Sequence, residues 1–105
     1  HSSARLIGRG LASWTYGRIE ARAELPCGQG LWPAIWMLPE DSEYGGWAAS
    51  GEIDIMEAVN LDCDAASHEV HGTLHFGGSW PDNVHKKART PKHCPRAASL
   101  TSRKG

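Results

Sequence analysis

Between Tyr16 and Leu25 the chain alternates almost without fault, with Ile19, Ala21, Ala23 and Leu25 on one side and Arg18, Glu20, Arg22 and Glu24 on the other. A period of two marks a strand with one buried face. The alternating charges read as a solvated ladder, and Pro26 and Gly28 close the strand in a turn. Residues 31–38, Leu-Trp-Pro-Ala-Ile-Trp-Met-Leu, are apolar on both sides. As a strand they put Trp32, Ala34, Trp36 and Leu38 on one face and Leu31, Ile35 and Met37 on the other. A helix is the rival for so short an apolar run, but Pro39 and the surrounding glycines favour an extended segment. Residues 39–50 carry the Pro, Asp, Ser and Gly chemistry of a loop. Two more strands are predicted over 51–59 and 69–76, the second ending at Gly77-Gly78. Short strands between turn signals, with no internal repeat and no helical apolar stripe, predict an all-β antiparallel sandwich or barrel.

Charge changes the picture near the end. All twelve acids lie before residue 85, with only Arg5, Arg9, Arg18 and Arg22 against them, so residues 1–84 carry a net charge of −8. The last 21 residues hold seven Lys and Arg and no acid, a net +7, and every Trp, Tyr and Phe lies before them. A break this sharp sets a boundary near His85. Residues 86–105 show neither period and only Leu100 as a large aliphatic side chain, so they are predicted to be disordered.

The 105 residues allow one small domain. The chain begins at His1 and reads as a processed product or a piece of something longer. No stretch approaches the roughly 18 consecutive apolar residues of a membrane span. Nor does a charged-then-apolar leader lie within these residues. Cys27, Cys63 and Cys94 lack paired spacing and are odd in number, which leaves both their pairing and the redox compartment open.

The segment Gly51-Glu52-Ile53-Asp54-Ile55-Met56-Glu57 holds the chemistry. On a regular strand Glu52 and Asp54 share a face, but Met56 rather than Glu57 would follow them. One extra residue, a β-bulge at Ile55–Met56, returns Glu57 to the acidic face. Like charges repel, so three acids in a row suit catalysis: a retaining glycosidase needs two carboxyl groups about 5–5.5 Å apart. An Asp between them would spread their proton affinities, keeping one Glu protonated while the other is ionised. A calcium site or an ordinary exposed acidic strand is the alternative. Trp32 and Trp36 supply flat apolar planes on which sugar rings stack, although such a pair also suits a core.

These residues resemble glycoside hydrolase family 16, whose active-site signature E-[ILV]-D-x-x-E is met here in its bulged, laminarinase-like form. Residues 12–22 (Ala-Ser-Trp-Thr-Tyr-Gly-Arg-Ile-Glu-Ala-Arg), 30–38 (Gly-Leu-Trp-Pro-Ala-Ile-Trp-Met-Leu) and 71–78 (His-Gly-Thr-Leu-His-Phe-Gly-Gly) resemble the same enzymes in the same order. The resemblance covers about residues 2–85. It implies a concanavalin-like β-jelly-roll sandwich, here incomplete, with a sugar chain crossing its concave sheet. It further implies Glu52 as nucleophile, Glu57 as general acid/base and Asp54 as the supporting acid. Trp32 and Trp36 would line the cleft, and His75 would approach the leaving-group side.

The implied reaction is internal, retaining hydrolysis of a laminarin-type β-1,3-glucan or of mixed-linkage β-glucan. The alternative is a non-catalytic β-glucan-binding module or an inactive truncated fragment of such an enzyme; the presence of both Glu52 and Glu57 favours the enzyme. No cofactor is needed for this chemistry, and no metal is assigned. A structural calcium ion fits the family, but the resemblance does not place its ligands. Zinc on His71, His75, His68 and Cys63 is the rival use of the histidines, without the ligand spacing of a zinc motif.

The expected partner is the polysaccharide, bound by a monomer in an extracellular or periplasmic setting that follows from the polymer alone. No membrane is expected, nor any specific nucleic acid: the basic tail binds phosphate electrostatically but interleaves no aromatic residue to stack on bases. The sequence departs from the family after Trp80-Pro81-Asp82-Asn83-Val84-His85. Residues 86–105 resemble nothing in it and read as an out-of-frame or unrelated addition. A sandwich lacking its later strands leaves sheet edges unpaired, so the chain alone is expected to be poorly soluble, with little or no hydrolytic activity.

Overall fold

The computed structural model describes residues 2–65 and 68–90 in full and 97–103 in their backbone. Among the described residues six strands follow one another: β1 (Arg18–Glu24), β2 (Ala34–Met37), β3 (Glu52–Glu57), β4 (His71–Phe76), β5 (Val84–Arg89) and β6 (Ala97–Arg103). The strands β2-β3-β4-β5 form a four-stranded sheet in sequence order, and β1 pairs with β6. Every pairing is antiparallel. The described residues hold no helix long and apolar enough to cross a membrane.

The alternation of β1 appears as predicted: Ile19, Ala21 and Ala23 are half-buried while their charged neighbours are exposed. Leu25, next on the apolar side, enters the core with Met56, Ala58, Leu61 and Val70. Ala23, Cys27 and Ile35 pack against that cluster. A disulfide between Cys27 and Cys63, 36 positions apart, ties the turn after β1 to the loop after β3 at the rim of this core. Beside it the Gly28 amide donates to the Leu61 carbonyl at 2.7 Å. The extended reading of 31–38 prevails over the helix, with the strand confined to Ala34–Met37.

The predicted disorder from residue 86 is corrected where the chain is described. Residues 86–89 continue β5, which pairs with β4 from Phe76 opposite Val84 to His71 opposite Arg89. The boundary read near His85 therefore falls inside a strand. All six residues of β5 are exposed, so no apolar period marks it; at the sheet edge the backbone ladder suffices. Thr90 extends the tie, its amide donating to the Val70 carbonyl at 3.0 Å. Within the same basic stretch β6 pairs with β1, from Glu24 opposite Ala97 to Arg18 opposite Arg103. The rest of that stretch, including Cys94, lies outside the described residues.

Candidate active site

The acids stand on a central strand whose register places them. Glu52 lies opposite His75 of β4, Asp54 opposite Thr73 and Glu57 opposite His71. Between the last two pairs, Ile55 and Met56 of β3 stand against the single residue Gly72. On the other side, β2 steps from Ile35 opposite Met56 to Trp36 opposite Asp54. This is the bulge inferred at Ile55–Met56, and it brings Glu57 onto the face of Glu52 and Asp54. The strands run close at that point: a Cβ on Gly72 would lie in ordinary contact with β3, 3.4 Å from the Asp54 carbonyl oxygen and 3.6 Å from that of Ile55. Directly opposed residues share a face, so Ala34, Trp36, His71, Thr73 and His75 stand with the acids.

Each carboxylate has its own donors. The Trp32 indole Nε1 donates to Glu57 Oε1 at 3.0 Å, and Thr73 Oγ1 donates to Glu57 Oε2 at 3.2 Å. The Trp47 indole Nε1 donates to Glu52 Oε2. Asp54, buried at 5% exposure, lies between the two, with Oδ2 at 3.0 Å from His75 Nε2. Burial, a hydrogen bond with Glu52 and the negative charges of Glu52 and Glu57 push the Asp54 carboxyl up to about 6, against the opposing hydrogen bond from His75. In mildly acidic solution Asp54 therefore carries a proton at the centre of the acidic row.

Rings flank this row. Trp47 and His75 lie with centroids 5.4 Å apart, and His75 and His85 follow at 5.9 Å. On β2 the Arg5 guanidinium sits 4.7 Å over the Trp36 ring, in a cavity of about 540 Å³ shared with Leu6, Ile7, Leu38 and Glu40. Trp32 and Trp36 are thus both at the acid face, one through its bond to Glu57 and the other through its register. His75 stands at the Glu52 end of the row, while His71 is the histidine opposite Glu57. Glu52, Asp54 and His75 each offer a ligand atom within 4.8 Å of the others, but those side chains are engaged with one another and with Trp47. The rival zinc set loses Cys63 to the disulfide. Two contacts escaped the sequence reading, Trp47 on Glu52 and Thr73 on Glu57. Trp47 lies in a loop that no period describes, and the Thr73 hydroxyl becomes meaningful only once the bulge fixes the register.

A family profile described as the XgeA-like, catalytic GH16 domain matches residues 13–102. The chain is 58% identical over 77 residues to a β-glucanase of Rhodothermus marinus, covering 71% of this chain and 26% of that protein. It is 53% identical over 83 residues to glucan endo-1,3-β-glucosidase A1 of Niallia circulans, covering 79% of this chain and 12% of that one. The solved laminarinase catalytic domain of Thermotoga maritima superposes with a TM-score of 0.67 at 35% identity, over 89% of this chain and 38% of that domain. The described strands are accordingly part of a jelly roll, and the chain spans about a quarter or less of the two curated relatives it matches. With the acid signature, its bulge and the flanking strands all in place, the chain belongs to glycoside hydrolase family 16.

Proposed function

We propose that the acid face of β3 hydrolyses internal linkages of a β-1,3-glucan of the laminarin type, or of a mixed-linkage β-glucan, by double displacement with retention. One observation carries this reading: Glu52 and Glu57 are brought to one face by the bulge, each held by its own indole donor, with a buried Asp between them. Glu52 attacks the anomeric carbon while Glu57 protonates the departing oxygen. Water then attacks the same carbon as Glu57 takes its proton, and Glu52 leaves as a carboxylate. Asp54, with its raised proton affinity, stands between them, and Trp32 and Trp36 offer planes along which the sugar chain lies. The likeness to the Rhodothermus β-glucanase and the Niallia glucan endo-1,3-β-glucosidase supports the substrate class. A polymer of this kind is met outside the cytoplasm, and we propose an extracellular or periplasmic setting on that ground alone.

The test is covalent trapping with 2-deoxy-2-fluoro-laminaribiosyl fluoride, which registers a competent site even where turnover is slow. A mass gain of one disaccharide on the peptide containing Glu52, lost in Glu52→Gln, is expected. Glucan binding without any labelling would instead point to a binding module or an inactive fragment.

A further inference from the structure

The loop between β2 and β3 is wound tightly ahead of the acids. Ser50 Oγ donates to the Gly45 carbonyl at 2.6 Å and accepts from the Tyr44 amide at 3.1 Å. The Ala49 amide donates to the Gly46 carbonyl at 3.0 Å, and the Gly51 amide to the Ala48 carbonyl at 3.1 Å. Inside these bonds Ala48 is fully buried at φ +69°, in the left-handed region where a side chain meets its own backbone. Strain of this sort persists only where the surroundings over-determine it, and it gathers at functional positions.

Its neighbour is Trp47. Trp47 remains 46% exposed, so burial does not account for the care with which the loop is held. What the loop does secure is direction: the indole N–H reaches Glu52 Oε2 and the ring lies against His75. The titratable groups around Glu52 are Asp54 and Glu57 on its own strand, His75 opposite it on β4 and His85 beyond that on β5. Among these contacts the Trp47 indole is a donor fixed by a rigid loop, with no proton that it can lose near neutral pH.

We propose that Trp47 is a positioning residue for the second displacement, holding the Glu52 carboxylate as it leaves the sugar. The proposal rests on Glu52 being the nucleophile. In the first displacement a Glu52 oxygen forms a bond to the anomeric carbon, the glycosidic bond breaks, and the Glu57 proton goes to the leaving oxygen. Charge disappears from Glu52 in this step, so a donor there gives orientation but no added stabilisation of the transition state. In the second, the carbon–Glu52 bond breaks and its electron pair returns to the carboxyl group. A preorganised donor aimed where negative charge develops accelerates that step. Trp47 therefore serves departure more than attack.

The test separates the two steps. After trapping with the fluorosugar, the wild-type and Trp47→Phe chains are freed of reagent, and recovery of the unlabelled mass is timed. Phenylalanine keeps a ring against His75 and loses the N–H. The expected result is a label lifetime about 10- to 100-fold longer in Trp47→Phe, the range of a hydrogen bond to a charged group, with the labelling rate changed much less. Equal lifetimes, or equal slowing of both steps, would overturn the proposal. Should Trp47→Phe fold poorly, the indole N–H resonance of the wild-type chain decides the contact. It is expected to move upfield in Glu52→Gln and to stay in Glu57→Gln; an unmoved resonance in both overturns it. Absence of labelling in the wild type would count against the hydrolase reading itself and leave the indole measurement to judge the Trp47–Glu52 contact.

Discussion

His75 Nε2 stands 3.0 Å from Asp54 Oδ2, the one contact that draws the Asp54 carboxyl down while everything else around it pushes up. Burial, the hydrogen bond with Glu52 and two neighbouring negative charges leave it at about 6 in spite of His75. Removing the imidazole should release that restraint. In His75→Phe the Asp54 midpoint is expected to rise further above 6, read from its carboxyl carbon resonance across a pH series. A midpoint that stays or falls would mean that His75 does not stabilise the ionised form.

The same shift fixes a stability trend. The folded carboxyl binds its proton more tightly than an unfolded Asp near 3.8, so between about 4 and 6 the native chain holds more protons than the unfolded one. Stability from this group is then full below about 4 and declines as pH rises through about 6. Asp54→Asn keeps the shape and never ionises. Its thermal midpoint is expected to exceed that of the wild type at pH 7 and to match it more closely at pH 4. Wild-type stability rising from pH 4 to 6 by the same amount as the variant's would contradict this.

Glu57 offers a cleaner separation of function from stability. Thr73 Oγ1 donates to its Oε2 from the neighbouring strand, and Thr73 is buried at 3% exposure. Thr73→Val preserves the shape and removes only that donor. Because a base misplaced slightly loses much of its effect, release of the fluorosugar label to water, the step in which Glu57 takes the proton, should slow roughly tenfold or more, the scale of a hydrogen bond to a charged group. The far-ultraviolet spectrum should be unchanged. Label release at the wild-type rate would show that Trp32 alone suffices to place Glu57.

How far this site could be read from sequence differed from residue to residue. The bulge was legible because 52, 54 and 57 can share a face only if one residue is inserted, and Ile53 and Ile55 left no other way to arrange them. Trp36 was legible because period two carries it to the face of Asp54. Trp47 was not, since its direction comes from a positive φ at Ala48 and from Ser50 bonding back to Gly45, neither of which leaves a period. The strand Val84–Arg89 was missed for a related reason: at the sheet edge both its sides are wet, so His85, Lys86, Lys87 and Arg89 replace the alternation that betrays a half-buried strand.

Gly72 is where the bulge can be broken without touching an acid. A Cβ at this position would already rest in contact with two carbonyl oxygens of β3, so any larger side chain has to find room beside backbone atoms that cannot rotate away. Gly72→Val adds two further methyl groups and should destabilise the chain by about 1–3 kcal/mol, the usual cost of overpacking. It should also move Glu57 relative to Trp32, so the Trp32 indole resonance is the local probe. Full stability with an unshifted indole would mean that β4 yields at this point and that the glycine does not set the bulge.

The disulfide tests whether the site depends on the core beneath it. Cys27 and Cys63 clamp the rim where Leu25, Ala58 and Leu61 meet, and Ala58 directly follows Glu57. A closed loop of 36 positions removes enough freedom from the unfolded chain to contribute about 3–4 kcal/mol in the chain-entropy description. For a chain this short that is a large share of the total. Reduction, or the paired change Cys27→Ser and Cys63→Ser, is expected to lower the urea midpoint accordingly. Loosening should reach Glu57 first, because the Ala58 amide donates to the Pro33 carbonyl at 3.1 Å beside Trp32. Amide exchange at Ala58 should therefore accelerate more than at Leu74, far from the clamp on β4. Uniform acceleration across both positions would show that the clamp acts on the unfolded chain alone and lends the active face no local rigidity.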